Sequence, residues 1–220
     1  MPLKAVLFDM DGVIVDTEPL HRKAYFSMFN DLEIEVSEDL YTSFTGASTK
    51  NVCNTLIAKY NLDKKHEDLS VIKRDYFRDY FYNDADFNLI PGVKNLIENY
   101  FENGVKLVLA SSASMVTIDM VFEKFDLAKS FVGKISGADL KESKPHPEIF
   151  LLAAEIAQEN PENCMVIEDS TNGIAAANAA GIFCTAYKSE HSSGQNYEKA
   201  NMVISDFSEI EFEKMKGIIA

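Results

Sequence analysis

Cysteine is scarce in this chain of 220 residues, which contains three: Cys53, Cys164 and Cys184. They lie far apart, are odd in number and form no CxxC pair, so the spacing favours neither a disulfide framework nor a zinc site. The sequence therefore predicts buried apolar thiols in a reducing compartment.

Long apolar runs are also missing, and no window approaches the roughly eighteen uninterrupted apolar residues of a membrane-spanning helix. The opening segment MPLKAVLFDMDG has no basic region followed by an apolar stretch and a cleavage site. We expect a cytoplasmic protein that does not cross a membrane.

Positive charge is the third shortage, because 21 Lys and Arg stand against 35 Asp and Glu, for a net charge of −14 at pH 7. Such a surface repels nucleic acid and anionic membranes, so we expect neither as a partner. It repels phosphorylated substrates as well. An enzyme of this composition that acts on phosphate needs a local positive site built from a metal ion, a few lysines and backbone N–H groups.

Short apolar runs typical of buried strands alternate with helical patterns over most of the chain. The predicted strands are residues 4–8, 105–110, 131–135, 165–167, 182–186 and 202–204. The predicted helices between them are residues 93–101, 115–125, 148–158 and 173–180. This alternation predicts an α/β fold, a Rossmann-like parallel sheet with helices on both faces.

The alternation of strands and helices stops between residue 17 and about residue 88. Helical patterns at 20–29, 49–60 and 69–82 occur there without a convincing strand. Pro91 and Gly92 then mark a turn and the return of strand–helix alternation. We predict an α/β catalytic core of residues 1–16 and 88–220. An α-helical cap domain of residues 17–87 is inserted after the first strand.

Polar side chains follow several of the predicted strands. In chain order they are Asp9 and Asp11, Ser111 and Ser112, Lys144 in a Lys-Pro-His-Pro loop, and Glu168 and Asp169. Ligands of an open parallel sheet bind beyond the carboxyl ends of its strands, so these groups are expected at one rim. Read singly, an Asp pair is a solvated turn, a Ser a helix cap and a Lys-Pro an exposed loop. Their shared location favours a catalytic site.

Four carboxylates in one small region repel each other unless a cation neutralises them. The four are Asp9, Asp11, Glu168 and Asp169. Mg²⁺ prefers oxygen ligands and suits a site that also holds phosphate, so it is the expected cofactor. Lys144 supplies a further positive charge.

These parts suggest a chemistry. An aspartate can attack phosphorus and form an aspartyl-phosphate, and a metal ion offsets the repulsion between the two anions. Asp11 can protonate the leaving oxygen and later remove a proton from the group that attacks the intermediate. Ser111 and backbone N–H groups near a helix start can hold the phosphoryl oxygens.

Four segments together resemble the motifs of the haloacid dehalogenase (HAD) superfamily, over nearly the whole chain. They are DMDGVIVDTE from Asp9, LASSAS from Leu109, KPHPE from Lys144 and VIEDSTNGI from Val166. The position of the insert matches the branch that includes β-phosphoglucomutases and small sugar-phosphate phosphatases.

The resemblance implies a role for each site residue. Asp9 would be the nucleophile and Asp11 the general acid/base. The Asp9 and Asp169 side chains and the Asp11 backbone carbonyl would hold the metal, with Glu168 nearby. Lys144 would bind the phosphoryl group together with Ser111 and Ser112. Dehalogenases of the superfamily usually lack an acid two residues after the nucleophile, so Asp11 argues against dehalogenation.

The cap would hold the substrate, and the resemblance extends to it in part. The candidate residues are His21, Gly46, Ser48, Thr49, Lys50 and Lys73. Thr49, followed by Lys50, stands where the mutase has an Arg that clamps a distal phosphate, and Lys does not reproduce a bidentate clamp. For His21, Lys50 and Lys73 the alternative is an ordinary solvated helix surface.

The preferred hypothesis is a monomeric, Mg²⁺-dependent phosphatase acting on a small phosphorylated metabolite such as a sugar phosphate. The first alternative is a β-phosphoglucomutase-like phosphotransferase, which passes the phosphoryl group to a second sugar hydroxyl. Another is a non-catalytic phospho-Asp signalling module like a response-regulator receiver, but its acceptor follows a middle strand of a shorter domain. A degenerate binding protein is disfavoured by the intact set of site residues.

Overall fold

The structure is a computed structural model that describes residues 3–44, 47–188 and 194–218. The strands are β1 (Ala5–Phe8), β2 (Lys106–Ser111), β3 (Phe131–Ser136), β4 (Cys164–Glu168), β5 (Phe183–Tyr187) and β6 (Met202–Ile204). The helices are α1 (Glu18–Asp31), α2 (Glu38–Thr42), α3 (Thr49–Tyr60), α4 (His66–Asn83), α5 (Val93–Glu102), α6 (Met115–Phe125), α7 (Glu148–Ala157), α8 (Thr171–Ala179) and α9 (Phe212–Met215). Short 3₁₀ turns lie at Gly137–Asp139, Pro161–Asn163 and Phe207–Ile210.

The strands form one parallel sheet in the order β3-β2-β1-β4-β5-β6. β1 lies inside the sheet, with β2 on one side and β4 on the other. The strand order therefore reverses next to β1, and this switch point is where open α/β sheets bind ligands.

Helices cover both faces of the sheet, as the continuous apolar strands predict. Ala5 and Leu7 of β1 belong to a buried cluster with side chains of α7 and α8. Phe8 contacts Phe131 edge-to-face, and Phe131 contacts Phe122 of α6 at 5.3 Å between ring centroids. The predicted α/β fold with a helical insert after the first strand is confirmed.

The chain divides into two compact units, residues 1–16 with 88–220 and residues 17–87. The second unit consists, in its described part, of α1 to α4 around an apolar cluster. The buried members are Tyr25, Met28, Phe29, Val52, Cys53, Leu56 and Leu69. The short α2, which the sequence pattern did not predict, begins at the N-cap Ser37, whose hydroxyl accepts from the Leu40 N–H.

The three cysteines are free and buried, as predicted. None of the helices in the described ranges combines the length and the apolar character that crossing a membrane requires.

Candidate active site

The sheet register places Asp9 between two neighbouring strands. Phe8 pairs with Leu109 of β2 and with Ile167 of β4, so the next residues, Ala110 and Glu168, flank Asp9 on either side. The Asp9 N–H donates to the Ile167 carbonyl at 3.0 Å, which continues the ladder by one residue. The Asp9 carboxylate is thus fixed at the carboxyl end of β1, where it is 7% exposed.

Lys144 reaches the same point from the loop before α7. Its ammonium donates to Asp9 Oδ1 at 2.5 Å, to Glu168 Oε1 at 2.8 Å and to the Ala110 carbonyl at 3.1 Å. An ammonium has three N–H donors, and each of them is used here on a different strand end. The Lys144 side chain is 6% exposed, so this is a buried ion pair with two carboxylates.

The chain turns sharply after Asp9. The Met10 carbonyl accepts from Ile14 N–H at 2.8 Å and from Val15 N–H at 3.1 Å, which folds the following residues back on themselves. Gly12 lies in this turn with φ +81°, and a Cβ there would come within 2.2 Å of Asp169 Oδ2. Glycine is therefore required twice, for the backbone conformation and for the close approach of the Asp169 carboxylate.

Burial dominates the electrostatics of the site. It raises the pKa of Asp9 well above its ordinary value against the opposing charge of Lys144, and the Glu168 carboxylate adds to the rise. Burial likewise raises the pKa of Asp169 to about 7, with further contributions from Glu168 and Asp11. Burial alone would lower the pKa of Lys144, but the Asp9 and Glu168 carboxylates raise it above its ordinary value. A further positive charge close to Asp169 would lower the pKa of Asp9 and of Asp169 and so favour their ionised forms.

The two serines after β2 differ in exposure. Ser111 is 2% exposed, and its Oγ accepts from the Ala113 N–H at 3.1 Å. The hydroxyl accepts in this bond and keeps its own proton as a donor. Ser112 is exposed.

The residues at the rim fit a magnesium site with fewer carboxylate ligands than the four that the sequence predicts. Within the described part of the chain, no group of three or more His, Cys, Asp or Glu side chains is arranged to hold a metal. The Lys144 ammonium lies between Asp9 and Glu168 and donates to both carboxylates. The Asp169 carboxylate lies against the turn at Gly12, close enough to Asp9 and Asp11 for the negative charges to repel each other. Two carboxylates with a main-chain carbonyl and water are a donor set that Mg²⁺ uses, because it retains several waters in proteins.

In the helical unit, His21 of α1 and Lys73 of α4 form a contact of 2.5 Å between His21 Nδ1 and Lys73 Nζ. An ammonium can only donate, so Nδ1 accepts and the ring proton resides on Nε2. The imidazole stacks on Phe77 at 4.4 Å between centroids. Burial, with the Lys73 charge added, lowers the pKa of His21 to about 3, so the imidazole is neutral at pH 7.

Lys73 is 5% exposed, so the solvated helix face considered for it is wrong. Burial lowers its pKa to about 8, against the opposing charge of Glu18. The ammonium also lies 5.0 Å from the centroids of the Tyr25 and Phe77 rings. For Lys50, by contrast, the structure confirms an exposed position.

A cavity of about 310 Å³ lies within the helical unit beside this pair. Its lining includes Glu18, His21, Tyr25, Tyr41, Thr49 and Lys73. The Tyr41 hydroxyl donates to Glu18 at 3.3 Å, and Tyr25 is hydrogen-bonded to the Thr49 side chain. Ser48 also lines the cavity, and its Oγ caps α3 by accepting from Asn51 N–H at 3.3 Å. Gly46 lies outside the described residues.

Sequence reasoning missed Glu18, Tyr25 and Tyr41 as lining residues. A signal was present for the first two, because Glu18, His21 and Tyr25 recur at helical spacing along one face of α1. No comparable spacing pointed to Tyr41, which comes from a different helix.

The sequence profile of the haloacid dehalogenase-like hydrolases matches residues 3–181. The phosphorylated carbohydrates phosphatase of Thermotoga maritima is 32% identical over 180 residues, which cover 82% of each protein. The β-phosphoglucomutase of Bacillus subtilis is 28% identical over 217 residues, covering 96% of this chain and 93% of the relative. Among solved structures, CbbY from Rhodobacter sphaeroides in complex with phosphate superposes with a TM-score of 0.77 at 25% identity, covering 95% of this chain and 96% of that one.

Proposed function

The chain belongs to the haloacid dehalogenase-like hydrolase family and is an enzyme of phosphatase or phosphomutase type, and we propose that it hydrolyses small phosphate monoesters such as sugar phosphates through a phosphorylated Asp9. The observation that carries the proposal is the buried contact of Lys144 with both Asp9 and Glu168 at the switch point of the sheet.

Asp9 is suited to act as the nucleophile because its backbone is fixed by the β1–β4 ladder and its Oδ1 by Lys144. Such fixed geometry lowers the entropic part of the barrier to attack on phosphorus. The ammonium also offsets part of the repulsion between the carboxylate and a phosphate dianion. The bond from phosphorus to the leaving oxygen breaks as the bond to Asp9 forms, and water then releases phosphate.

Asp11 is proposed as the proton donor to the leaving oxygen and as the base that activates water in the second half. It lies in the turn that begins at Met10, and its backbone bridges to Val15. Because of this turn, Asp11 stays outside the apolar sheet although it is only two residues from the nucleophile.

Ser111 and Lys144 are proposed to hold the phosphoryl oxygens. Ser111 is buried and keeps its hydroxyl proton as a donor, and Lys144 can turn the N–H group that meets Asp9 toward a phosphoryl oxygen. Ser112 is proposed as a further contact of the phosphoryl group. Asp9, Asp169 and the Asp11 carbonyl would hold Mg²⁺, which supplies charge neutralisation for two anions that must meet.

The helical unit is proposed to select the non-phosphate part of the substrate. Among the described residues that line the cavity beside His21, Lys73 is the one cation. It already donates to His21 Nδ1, and its charge is opposed by that of Glu18. A second phosphate needs additional donors, so this charge balance favours a neutral group such as a sugar. Thr49 lines the cavity at the position where the β-phosphoglucomutases that the sequence resembles have an Arg, and this favours the phosphatase over the mutase.

The test is a release assay for inorganic phosphate over a panel of phosphorylated metabolites with Mg²⁺, with vanadate as an inhibitor control. We expect turnover of one or more sugar monophosphates that vanadate suppresses. A parallel assay follows the isomerisation of β-glucose 1-phosphate with a sugar bisphosphate present. Isomerisation that is faster than phosphate release would favour the mutase, and activity in neither assay would contradict the proposal.

A further inference from the structure

We propose that Ser170 and Gly173 are positioning residues of the reaction, because together they form a seat that fixes the Glu168 carboxylate and thereby holds Lys144 on Asp9. The inference rests on the proposed phosphoryl transfer at Asp9. Neither residue touches Asp9 or Lys144 in the hydrogen bonds of the described chain, so their effect on the reaction is transmitted by Glu168.

The first half of the seat is a set of donors to one oxygen of Glu168. Glu168 Oε2 accepts from Asp169 N–H at 2.8 Å, from Ser170 N–H at 2.8 Å and from the Ser170 hydroxyl at 3.0 Å. The other oxygen, Oε1, faces Lys144 at 2.8 Å. Since the side chain is 1% exposed, these donors take the place of water and fix which oxygen meets the ammonium.

Ser170 has a second bond that fixes the hydroxyl itself. Its Oγ accepts from Gly173 N–H at 3.1 Å as the N-cap of α8. The hydroxyl proton is then directed to Glu168, because the acceptor side is used by the helix. The first turn of α8 therefore orients the donor that orients the carboxylate.

The second part of the seat is the space beside Gly173, which has no side chain and so leaves room for the Glu168 carboxylate. A Cβ there would lie 1.6 Å from Glu168 Oε1 and 1.9 Å from its carboxyl carbon. No side chain is compatible with the observed position of the carboxylate, although position 173 lies in a helix, where glycine is intrinsically unfavourable. The glycine is thus explained by the space that Glu168 needs, not by the helix.

Gly173→Ala gives the sharpest test, because its effects on stability and on catalysis are expected to differ. Alanine favours the helix, while its methyl group displaces Glu168. We expect kcat to fall about 10- to 100-fold, the range seen when groups that orient a ligand are lost, with KM for the phosphate ester changed less than about twofold. Gly217→Ala is the matched control, since a Cβ at Gly217 meets nothing within 4 Å.

Ser170 is tested with a pair of variants in case Gly173→Ala does not fold. Ser170→Ala removes the hydroxyl and should lower kcat at least about fivefold, whereas Ser170→Thr retains it and should recover most of the activity. Ser37→Ala removes an N-cap serine of the other unit and controls for the loss of a cap alone. Wild-type kcat in folded Gly173→Ala, or equal losses in the alanine and threonine variants of Ser170, would overturn the inference.

Crystal structures of the variants separate this inference from the proposed function. If the wild-type protein hydrolyses no ester, the proposed function fails, but the seat is still measured by the positions of Glu168 and Lys144. We expect the Glu168 carboxylate to move and the Lys144–Asp9 contact to lengthen in Gly173→Ala. An unchanged Glu168 and an unchanged contact in that variant would overturn the inference whatever the activity.

Discussion

Lys144 Nζ lies 2.5 Å from Asp9 Oδ1 although 135 residues separate them in the chain. The pairing of β1 with both β2 and β4 makes this contact possible, because it brings Asp9, Ala110 and Glu168 to one level of the sheet. The ammonium meets all three. A single lysine thus organises the ends of three adjacent strands.

The first prediction follows from this contact. Lys144→Met removes the charge and keeps most of the length, which leaves Asp9 and Glu168 buried without their common partner. We expect activity to fall by orders of magnitude and the free energy of unfolding to fall by about 3–5 kcal/mol. Steady-state kinetics and urea titration measure the two effects. Lys141→Met, at an exposed position of the same loop, is the control and should change neither.

The second prediction concerns magnesium. Chelation with EDTA should abolish turnover and added Mg²⁺ should restore it, while Ca²⁺ should bind but support little turnover because its looser shell misplaces the reacting groups. Asp169→Asn should weaken Mg²⁺ binding at least about tenfold by isothermal titration calorimetry, since it removes one of two carboxylates. Full activity after rigorous chelation would refute the assigned ligands.

The third prediction is a dependence of stability on pH that arises from His21. Its pKa is lowered to about 3 in the folded protein, from an ordinary value near 6.5. The unfolded chain therefore binds more protons between these values, so this contribution is complete above about pH 6.5 and is lost as the pH falls toward 3. Its loss at about pH 4 is on the order of 3 kcal/mol.

The variant His21→Asn tests this contribution, because the Asn side-chain oxygen can replace Nδ1 as the acceptor of Lys73 and does not titrate. The free energy of unfolding of wild type, measured from about pH 4 to pH 7, should therefore rise more steeply than that of the variant. Parallel curves would show that His21 does not titrate in this window on unfolding.

The fourth prediction concerns substrate choice at the start of α3. Lys50 is exposed, so Lys50→Ala should leave the fold unchanged. We expect KM to rise for doubly anionic or bulky substrates, with hydrolysis of a small generic phosphate ester nearly unchanged. Thr49→Arg should move the enzyme toward recognition of bisphosphates, because it adds a bidentate donor at the cavity wall.

Kinetics of both variants on the two substrate types decide the matter. Equal losses on both substrates would mean that these residues serve the chemistry or the fold rather than selection of the substrate.

Much of the fold could be predicted from the sequence because most strands of the sheet are short runs rich in apolar residues that alternate with helical patterns. The position of polar residues after those runs also predicts that Asp9, Lys144 and Glu168 lie at one rim, and the contacts of Lys144 confirm it. That prediction rests on topology, which fixes where a strand ends but not which atoms meet.

The remaining features depend on side-chain contacts that periodicity does not encode. Lys73 has the sequence pattern of a solvated helix residue, yet it is buried against His21 and two aromatic rings. The donors of Ser170 and the space at Gly173 likewise become visible only once the carboxylate of Glu168 has a position. The short α2 was missed because five residues give too few repeats of a helical pattern.

The measurement that tests the central claim most directly is capture of the phosphoryl group on Asp9. Wild-type enzyme and Asp9→Asn are mixed with a substrate found by the phosphate-release screen, quenched in acid during turnover and digested for mass spectrometry. We predict one added phosphoryl group on the peptide that contains Asp9 in wild type, none in Asp9→Asn, and a folded variant with turnover lower by several orders of magnitude. Near-normal turnover by Asp9→Asn, or a phosphoryl group found on another residue in both proteins, would contradict the account.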